Sequence, residues 1–324
     1  TGIWITNYER VHKFKDTMFD AIVLDESSIL KSIDGKTRNL LLDEFTKIPY
    51  RLCCTATPAP NDITELANHA EFLGVMSRVE MLATWFVHDE SHGAGWRLKG
   101  WASDAMFKWM AQWCAFVRKP SDLGYDDGRF MLPDLSVTDE TVECEWKPDG
   151  MLFAATIGGI GTRAKVRRST MDARIARAIE IIDSKPGEQW LVWCGLNDES
   201  EAIRKALAGR CVAVAGQDDE NQKIERERMW RTGEVQVMIS KPSIFGFGLN
   251  WQHCHNMMFL GIGDSYEQYY QAIRRCWRFG QTDPVDVRIV VSDVEGQISN
   301  NVKQKEREAQ RMSESVVAAM RDSQ

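Results

Sequence analysis

The sequence predicts an α/β protein with two lobes, each formed around a parallel sheet. Short apolar segments of strand length alternate with segments of helical periodicity, which is the pattern of βαβ units. The 324 residues are enough for two domains of about 100–200 residues each. In addition, polar residues follow several of the strands directly, and open α/β sheets bind their ligands at this end of their strands.

The composition is that of an ordinary globular protein, with 44% hydrophobic and 27% charged residues. The net charge of -7 does not indicate a nucleic-acid partner, but a basic groove is compatible with an acidic total. No apolar run reaches about 18 residues, so no membrane span is expected. Eight cysteines without Cys-x-x-Cys spacing predict buried free thiols in a reducing cytoplasm, or in the host cytoplasm for a viral protein.

We assign residues 1–145 to the first lobe. Its strands are predicted near 2–6, 20–25 and 50–55. The second of them ends in Asp25 and Glu26. A carboxylate at the end of a buried strand can hold Mg²⁺, and an adjacent one can orient or deprotonate a water. The alternative for the pair is an ordinary helix start.

The next strand ends in Thr55-Ala56-Thr57-Pro58. Pro58 disfavours helix at Thr57 and stops the strand. Two hydroxyls are thus left at a strand end, where they could bond the neighbouring carboxylates. The alternative is a plain strand-to-turn exit with satisfied threonines.

Residues of about 85–120 form a tryptophan-rich helical insertion in the first lobe. Ser103 and Asp104 could cap a helix there. Its apolar stripe is predicted to consist of Met106, Trp109, Met110, Trp113 and Val117. Aromatic side chains beside lysines could stack on bases, but the stripe has core spacing, which favours a packed protrusion.

A linker is predicted at 146–170, and the second lobe at 171–300. The basic run in the linker could contact a phosphate backbone, although such a run is usually a solvated face. Strands of the second lobe are predicted near 190–194, 211–215, 235–240, 256–260 and 286–291. Residues 301–324 are predicted to form a polar-rich final helix that braces onto a lobe.

Two segments of the second lobe carry candidate phosphate-binding groups. Ser240 and Lys241 end a strand, and a glycine-containing loop follows, in which backbone N–H groups can approach a phosphate. The alternative for this loop is a tight turn. Further on, Gln271, Arg275 and Arg278 lie on one face if the segment is helical. Two guanidiniums on one face can clamp phosphate oxygens, although a solvated basic face is the alternative.

Taken together and in order, these segments resemble the motifs of superfamily II helicases (DEAD/DEAH-like), specifically the Swi/Snf-type DNA translocase branch. The matching segments are Asp25-Glu26-Ser27-Ser28, Thr55-Ala56-Thr57-Pro58 with Asn61, Ser240-Lys241 through Gly248-Leu249-Asn250, and Gln271 through Gln281. The last agrees with the family pattern Gln-Ala-x-x-Arg-x-x-Arg-x-Gly-Gln at every fixed position. The resemblance covers nearly the whole chain and implies two RecA-like lobes with parallel sheets, the first of them incomplete.

The resemblance also implies an activity, namely DNA-dependent ATP hydrolysis at a cleft between the lobes, with ATP and Mg²⁺ as cofactors. Asp25 would hold Mg²⁺ and Glu26 would position the attacking water. The implied catalytic residues are Asp25, Glu26, Gln271, Arg275 and Arg278. The implied nucleotide-binding residues are Asp25, Gly248, Arg275 and Arg278. Since the acids and the arginines belong to different lobes, catalysis would require closure.

The same resemblance implies how the chain would act on nucleic acid. Thr55 and Thr57 would couple the carboxylates to lobe movement. Phosphate contacts are implied near Tyr8, Ser240, Lys241 and Trp251. The expected partner is double-stranded DNA with little sequence preference, because phosphate contacts carry no sequence information.

One family feature has no counterpart in the sequence. The phosphate loop contains Gly-Lys-Thr before the acidic box, whereas the triplet at Gly35 follows that box without a strand or a second glycine. We therefore expect the chain to be truncated at its amino end and to bind ATP poorly by itself. Three hypotheses remain open: part of a DNA-stimulated ATPase, a catalytically silent nucleic-acid-binding fragment, and a protein-interaction module.

Overall fold

The computed structural model describes residues 2–90, 95–143, 167–245 and 249–322. The chain divides into two compact units. The first unit comprises Thr1–Arg118 and Lys305–Gln324, and the second comprises Lys119–Gln304. None of the helices in the described ranges combines the length and apolar character that a membrane crossing requires.

The first unit contains a two-stranded parallel sheet formed by β1 (Ala21–Asp25) and β2 (Tyr50–Cys54), which are joined through α1 (Lys36–Phe45). One face of this sheet packs on an apolar cluster that includes Leu24 and Phe72. The other face is open to solvent, since Val23 is 59% and Leu52 is 54% exposed. Parallel sheets normally have both faces covered, so this exposed apolar face departs from the usual arrangement.

The strand predicted near 2–6 is not formed. Ile3 and Ile5 are more than nine-tenths exposed. An apolar run becomes a strand only when a neighbouring strand satisfies its backbone and a core receives its side chains. Neither is present for this segment within the described residues.

The remainder of the first unit is mainly helical. It contains α2 (Leu66–Leu73), α3 (Arg78–Trp85) and α4 (Ser103–Met110), together with an antiparallel pair of strands, β3 (Phe86–His88) and β4 (Trp96–Leu98). Met106 and Met110 are buried in a cluster shared with α2 and α3. These contacts support the packed interpretation of the insertion.

The predicted stripe of the insertion is only partly correct. The helix ends at Met110, and Val117 lies beyond it, half exposed. Trp109 lies between two other rings, with centroids 6.0 Å from Trp85 and 5.3 Å from Trp113. Ring packing beyond the helix end therefore replaces the last turns that the periodicity predicted.

The second unit is built on a six-stranded sheet of order β5-β10-β9-β6-β8-β7, in which all pairs are parallel. The strands are β5 (Leu135–Val142), β6 (Trp190–Cys194), β7 (Cys211–Ala213), β8 (Val237–Ser240), β9 (Asn256–Leu260) and β10 (Val285–Ser292). The helices before β10 are α5 (Met171–Asp183), α6 (Asn197–Ala206), α7 (Glu220–Arg231), α8 (Pro242–Phe245) and α9 (Tyr266–Ile273). Every residue of β6, β8 and β9 is buried, as expected for central parallel strands. The predicted α/β class is confirmed.

Strand β5 changes the predicted boundary between the lobes. It pairs with β10 along its whole length, from Leu135 opposite Val285 to Val142 opposite Ser292. Residues 119–143, which the sequence placed in the first lobe, therefore belong to the second unit. Most residues of this edge strand are polar, so it lacks the continuous apolar run that marked the central strands. Most of the predicted linker, residues 146–166, lies outside the described ranges.

The chain ends in α10 (Gly296–Asp322). Met312 and Val316 of this helix are buried in the same apolar cluster as Leu66 and Met106. Near them, Arg118 approaches Glu314 at 3.4 Å. The part of the final helix beyond Lys305 thus packs on the first unit, as a bracing helix would.

Candidate functional site

The acidic pair lies at the carboxyl end of β1, at the start of a segment that we call the acidic turn (residues 25–31). Asp25 is exposed, and its Oδ1 accepts the backbone N–H of Glu26 at 3.1 Å. Glu26 has φ 51° and ψ 49°, the left-handed conformation. It is the one non-glycine residue of the described ranges with positive φ. Such backbone strain persists only where the surroundings hold it, and it is common at functional sites.

Three side chains hold the acidic turn. The Tyr8 hydroxyl donates to the carbonyl oxygen of Asp25 at 2.6 Å. The Ser27 hydroxyl and His69 Nε2 are 3.2 Å apart. Asn68 Nδ2 donates to the carbonyl oxygens of Leu30 and Lys31, at 2.8 Å and 3.1 Å. The turn is therefore fixed at its start, its middle and its end.

The contact of Tyr8 modifies its predicted role. We expected a nucleic-acid contact near this residue, but its hydroxyl is used to support Asp25. Burial, with the nearby Cys53 and Asp25, raises the pKa of the Tyr8 phenol well above its usual value. The phenol therefore stays protonated and acts as a donor to the acidic turn.

His69 is a buried neutral histidine. Its side chain lies on α2 and only 4% of the residue is exposed. Desolvation lowers the pKa of His69 to about 4. Nearby, burial raises the pKa of the Cys53 thiol to about 12. At neutral pH both groups next to Ser27 are therefore uncharged.

The depressed pKa of His69 predicts a pH dependence of stability. Folding holds this pKa near 4, against 6.5 in the unfolded chain, so the unfolded state binds more protons between these values. The contribution of neutral His69 to stability is therefore fully present above its unfolded-state pKa of 6.5, and it is lost as the pH falls towards its folded-state pKa of about 4. We expect wild type to lose on the order of 3 kcal/mol of unfolding free energy more than His69→Gln over this range. Urea unfolding of both proteins at several pH values measures this, and parallel curves would contradict it.

The two predicted coupling threonines lie at the same end of the sheet as the acidic pair. Asp25 is the register partner of Cys54, and Thr55 follows directly. Thr55 Oγ1 accepts the backbone N–H of Thr57 at 3.1 Å. The Thr57 hydroxyl is buried and has no hydrogen-bond partner within the described residues. A buried orphan hydroxyl beside a strained carboxylate turn is consistent with a site that receives a polar ligand.

In the second unit, the arginine segment is not one continuous helix. Helix α9 ends at Ile273, before Arg275 and Arg278. The two arginines are instead brought together by a single acceptor, because both donate to the carbonyl oxygen of Leu249, at 3.0 Å and 3.2 Å. The predicted stacking of three side chains along two helical turns is thus corrected.

The two arginines differ in their environment. Arg275 is buried, and it also donates to the backbone oxygen and the Oε1 of Gln271, at 3.0 Å and 3.1 Å. Arg278 is only half-buried and uses one guanidinium nitrogen for Leu249. Arg275 therefore fixes the backbone at Leu249 and is itself held by Gln271, whereas Arg278 is the better placed of the two arginines to meet an anion.

The predicted DNA-contacting residues of the second unit have varied environments. Trp251 is fully buried; its Nε1 donates to Glu227 at 3.2 Å and its backbone N–H to Arg275 at 2.9 Å. Ser240 is also fully buried, and its hydroxyl donates to Val214 at 3.2 Å. These side-chain donors already serve the fold, and the predicted backbone contacts with phosphate near Ser240 and Trp251 stay a prediction. Lys241 is partly exposed, and Gly248 lies outside the described residues.

A buried charged network in the second unit was not predicted. Its members are Arg167, Arg174, Glu199 and Glu295, each at most 9% exposed. Glu199 accepts from Arg167 at 3.0 Å and 2.8 Å and lies 2.9 Å from Arg174. The basic run of the predicted linker is therefore not uniformly solvated. Of the two arginines of this run that the structure describes, Arg167 is buried in the network and Arg168 is exposed, as expected for a surface charge.

The described residues fit a Mg²⁺–nucleotide ligand in part. Asp25 offers an exposed carboxylate with one oxygen not used by Glu26, which suits a hard cation. Arg278 offers guanidinium nitrogens to phosphate. The triplet at Gly35 starts α1 after a short 3-10 helix, without a preceding strand, so it lacks the setting of a phosphate loop.

Residues 173–280 match the family model of the helicase conserved C-terminal domain. This range contains β6 to β9 and both arginines. The second unit therefore contains a helicase C-terminal domain, the class to which the sequence motifs pointed.

Comparison with solved structures finds a crystal structure of the C-terminal part of the Fun30 ATPase domain. The identity is 15% and the TM-score 0.37, with 48% of this chain and 55% of that chain covered. The match thus spans little more than half of that structure. No curated protein matches the chain.

Proposed function

We propose that this chain provides the acidic pair and the arginine-bearing domain of an ATP-dependent DNA translocase. The observation that carries the proposal is the helicase C-terminal domain match over residues 173–280, which ends on the segment with Arg275 and Arg278. The acidic turn supports it from the other unit, since a strained, multiply held Glu26 is unexpected in a plain helix start.

In this proposal Asp25 holds Mg²⁺ and Glu26 orients the attacking water. The bound Mg²⁺–ATP supplies the reactive phosphoryl group. Tyr8 keeps the backbone of Asp25 in place through its 2.6 Å hydrogen bond. Thr57, with its buried and unpartnered hydroxyl, is the residue that would sense a change at the acidic turn.

Arg278 and Arg275 have separate tasks. Arg278 approaches the phosphate and stabilises its developing charge. Arg275, which Gln271 holds in turn, donates to the carbonyl oxygen of Leu249 and so fixes the backbone at that residue.

The proposal needs a phosphate loop that the sequence does not contain. We therefore expect little ATP binding by the chain alone. DNA contacts around Lys241 would be made to phosphates, with strong salt dependence.

The test is DNA-stimulated ATP hydrolysis by a polypeptide that joins these residues to an upstream phosphate loop. Glu26→Gln should lower the stimulated rate at least about tenfold, because it removes the group that orients the water. The control is Glu44→Gln, an exposed glutamate on α1, which should leave the rate unchanged. Equal rates in both variants would refute the role of Glu26.

The second candidate is a non-catalytic nucleic-acid-binding or protein-interaction fragment. The internal hydrogen bonds of Arg275 favour this second candidate, since they give the residue a structural task. Salt-sensitive DNA binding without hydrolysis would support a binding fragment. Absence of DNA binding at low salt would support an interaction module.

A further inference from the structure

Helix α2 places two polar side chains inside an otherwise apolar packing face. Asn68 is fully buried and His69 is 4% exposed. A buried polar group is costly unless it is hydrogen-bonded. Asn68 meets this requirement through Leu30 and Lys31, and His69 meets it at Nε2 through Ser27, whereas the buried Nδ1 of His69 has no partner among the described residues. Helix α2 is therefore connected to the acidic turn by side-chain hydrogen bonds of His69 and Asn68.

The contact of His69 lies one residue from the strained backbone. Ser27 directly follows Glu26, whose φ of 51° is unfavourable for an L-residue. A fixed Ser27 side chain restrains the peptide that joins the two residues. Without that restraint Glu26 can relax to a commoner conformation, which would turn its carboxylate away from the position set by β1.

Asn68 closes the other end of the same turn. Its Oδ1 accepts from Arg78 at 3.2 Å, while its amide donates to the turn. Arg78 is the first residue of α3, so Asn68 is held from two sides. This arrangement makes the end of the turn rigid. Next to Glu26, the contact of Ser27 with His69 acts together with the Tyr8 hydrogen bond to the carbonyl oxygen of Asp25 and with the 3.5 Å hydrogen bond from Ser28 Oγ to the carbonyl oxygen of Glu26.

We propose that His69 is a positioning residue for the acidic pair, which holds Glu26 in its left-handed conformation by its contact with Ser27. The effect on hydrolysis rests on the function proposed above, whereas the effect on the turn does not. His69 touches neither ATP nor water in this proposal. It acts only through the backbone of the acidic turn.

The test of the positioning effect is amide hydrogen exchange in the 324-residue chain, without nucleotide. His69→Leu should accelerate exchange at residues 26–31 about tenfold relative to α1, since a buried hydrogen bond is lost. His69→Gln, which can present an amide nitrogen to Ser27, should stay within about twofold of wild type.

The matched control is Leu66→Ala, which removes packing from the same helix in the cluster that contains Met81 and Met106. It should accelerate exchange throughout α2 and α3 without singling out the acidic turn. The proposal is overturned if His69→Leu gives this same diffuse pattern, or if exchange at residues 26–31 is unchanged.

The catalytic consequence is tested separately in the polypeptide with a phosphate loop. His69→Leu should lower kcat about tenfold with the KM for ATP nearly unchanged, and His69→Gln should restore most of the rate. An unchanged kcat beside accelerated exchange would overturn the catalytic consequence. If wild type itself does not hydrolyse ATP, the proposed function fails, while the exchange result still decides the positioning effect.

Discussion

Replacing Arg278 with alanine should lower DNA-stimulated ATP hydrolysis by about 10³-fold or more, which is the usual cost of losing an arginine finger. The residue is half-buried and gives one nitrogen to Leu249. Its loss therefore removes transition-state stabilisation without removing a core side chain. Steady-state rates of the polypeptide that includes a phosphate loop, with saturating double-stranded DNA, measure the effect.

Arg274→Ala is the matched control for this prediction. Arg274 lies in the same segment, and its guanidinium stacks over the rings of Trp277 and Tyr270, at 5.1 Å and 5.8 Å from their centroids. Its loss should change the rate by no more than a few-fold, because a partly exposed cation–π contact is weak. Similar losses of hydrolysis rate in both variants would mean that any substitution in the segment impairs hydrolysis. This result would contradict the role of Arg278 as an arginine finger.

Replacing Arg174 with alanine should lower the unfolding free energy of the second unit by about 3 kcal/mol, the lower end of the cost of breaking a buried ion pair, because Glu199 keeps Arg167 as a partner. Arg174 and Glu199 are fully buried and 2.9 Å apart. Arg174 also donates to Thr170 at 3.2 Å and to the carbonyl oxygen of Arg167 at 2.5 Å. Urea unfolding followed by tryptophan fluorescence reports on this unit, because Trp190, Trp193, Trp230 and Trp251 are buried in it.

Arg177→Ala, on the same helix α5, is the control. Arg177 pairs with Glu140 at 2.8 Å and Glu180 at 2.9 Å, but its side chain is 42% exposed. Exposed ion pairs contribute only about 0–1 kcal/mol. If the two alanine variants unfold at the same urea concentration, the buried network does not stabilise the unit in the way that its geometry indicates.

Strands β6 and β9 show how much of the fold was predictable. Both lie at the predicted residues, since short fully apolar runs are the strongest signal of a buried parallel strand. Strand β5 was missed because most of its residues are polar, including the run from Thr138 to Thr141, as suits a half-buried edge strand. The segment at 2–6 was wrongly predicted as a strand, because local apolar content does not show whether a neighbouring strand exists.

The candidate site was predictable as a set of strand ends but not as a set of contacts. The position of Asp25 followed from its strand. The shared acceptor of Arg275 and Arg278 did not, because Leu249 is more than twenty residues away along the chain. His69 was overlooked, although a polar pair within the apolar helix Leu66–Leu73 was a signal that could have drawn attention to it.

We propose that the acidic turn and the arginine segment both contribute to DNA-stimulated ATP hydrolysis. The most direct measurement is ATP hydrolysis by a polypeptide that joins this chain to an upstream phosphate loop, in the presence and absence of double-stranded DNA, for wild type, Glu26→Gln and Arg278→Ala. The account predicts hydrolysis that DNA stimulates in wild type and that both substitutions abolish. DNA-stimulated hydrolysis that persists in both variants would contradict it.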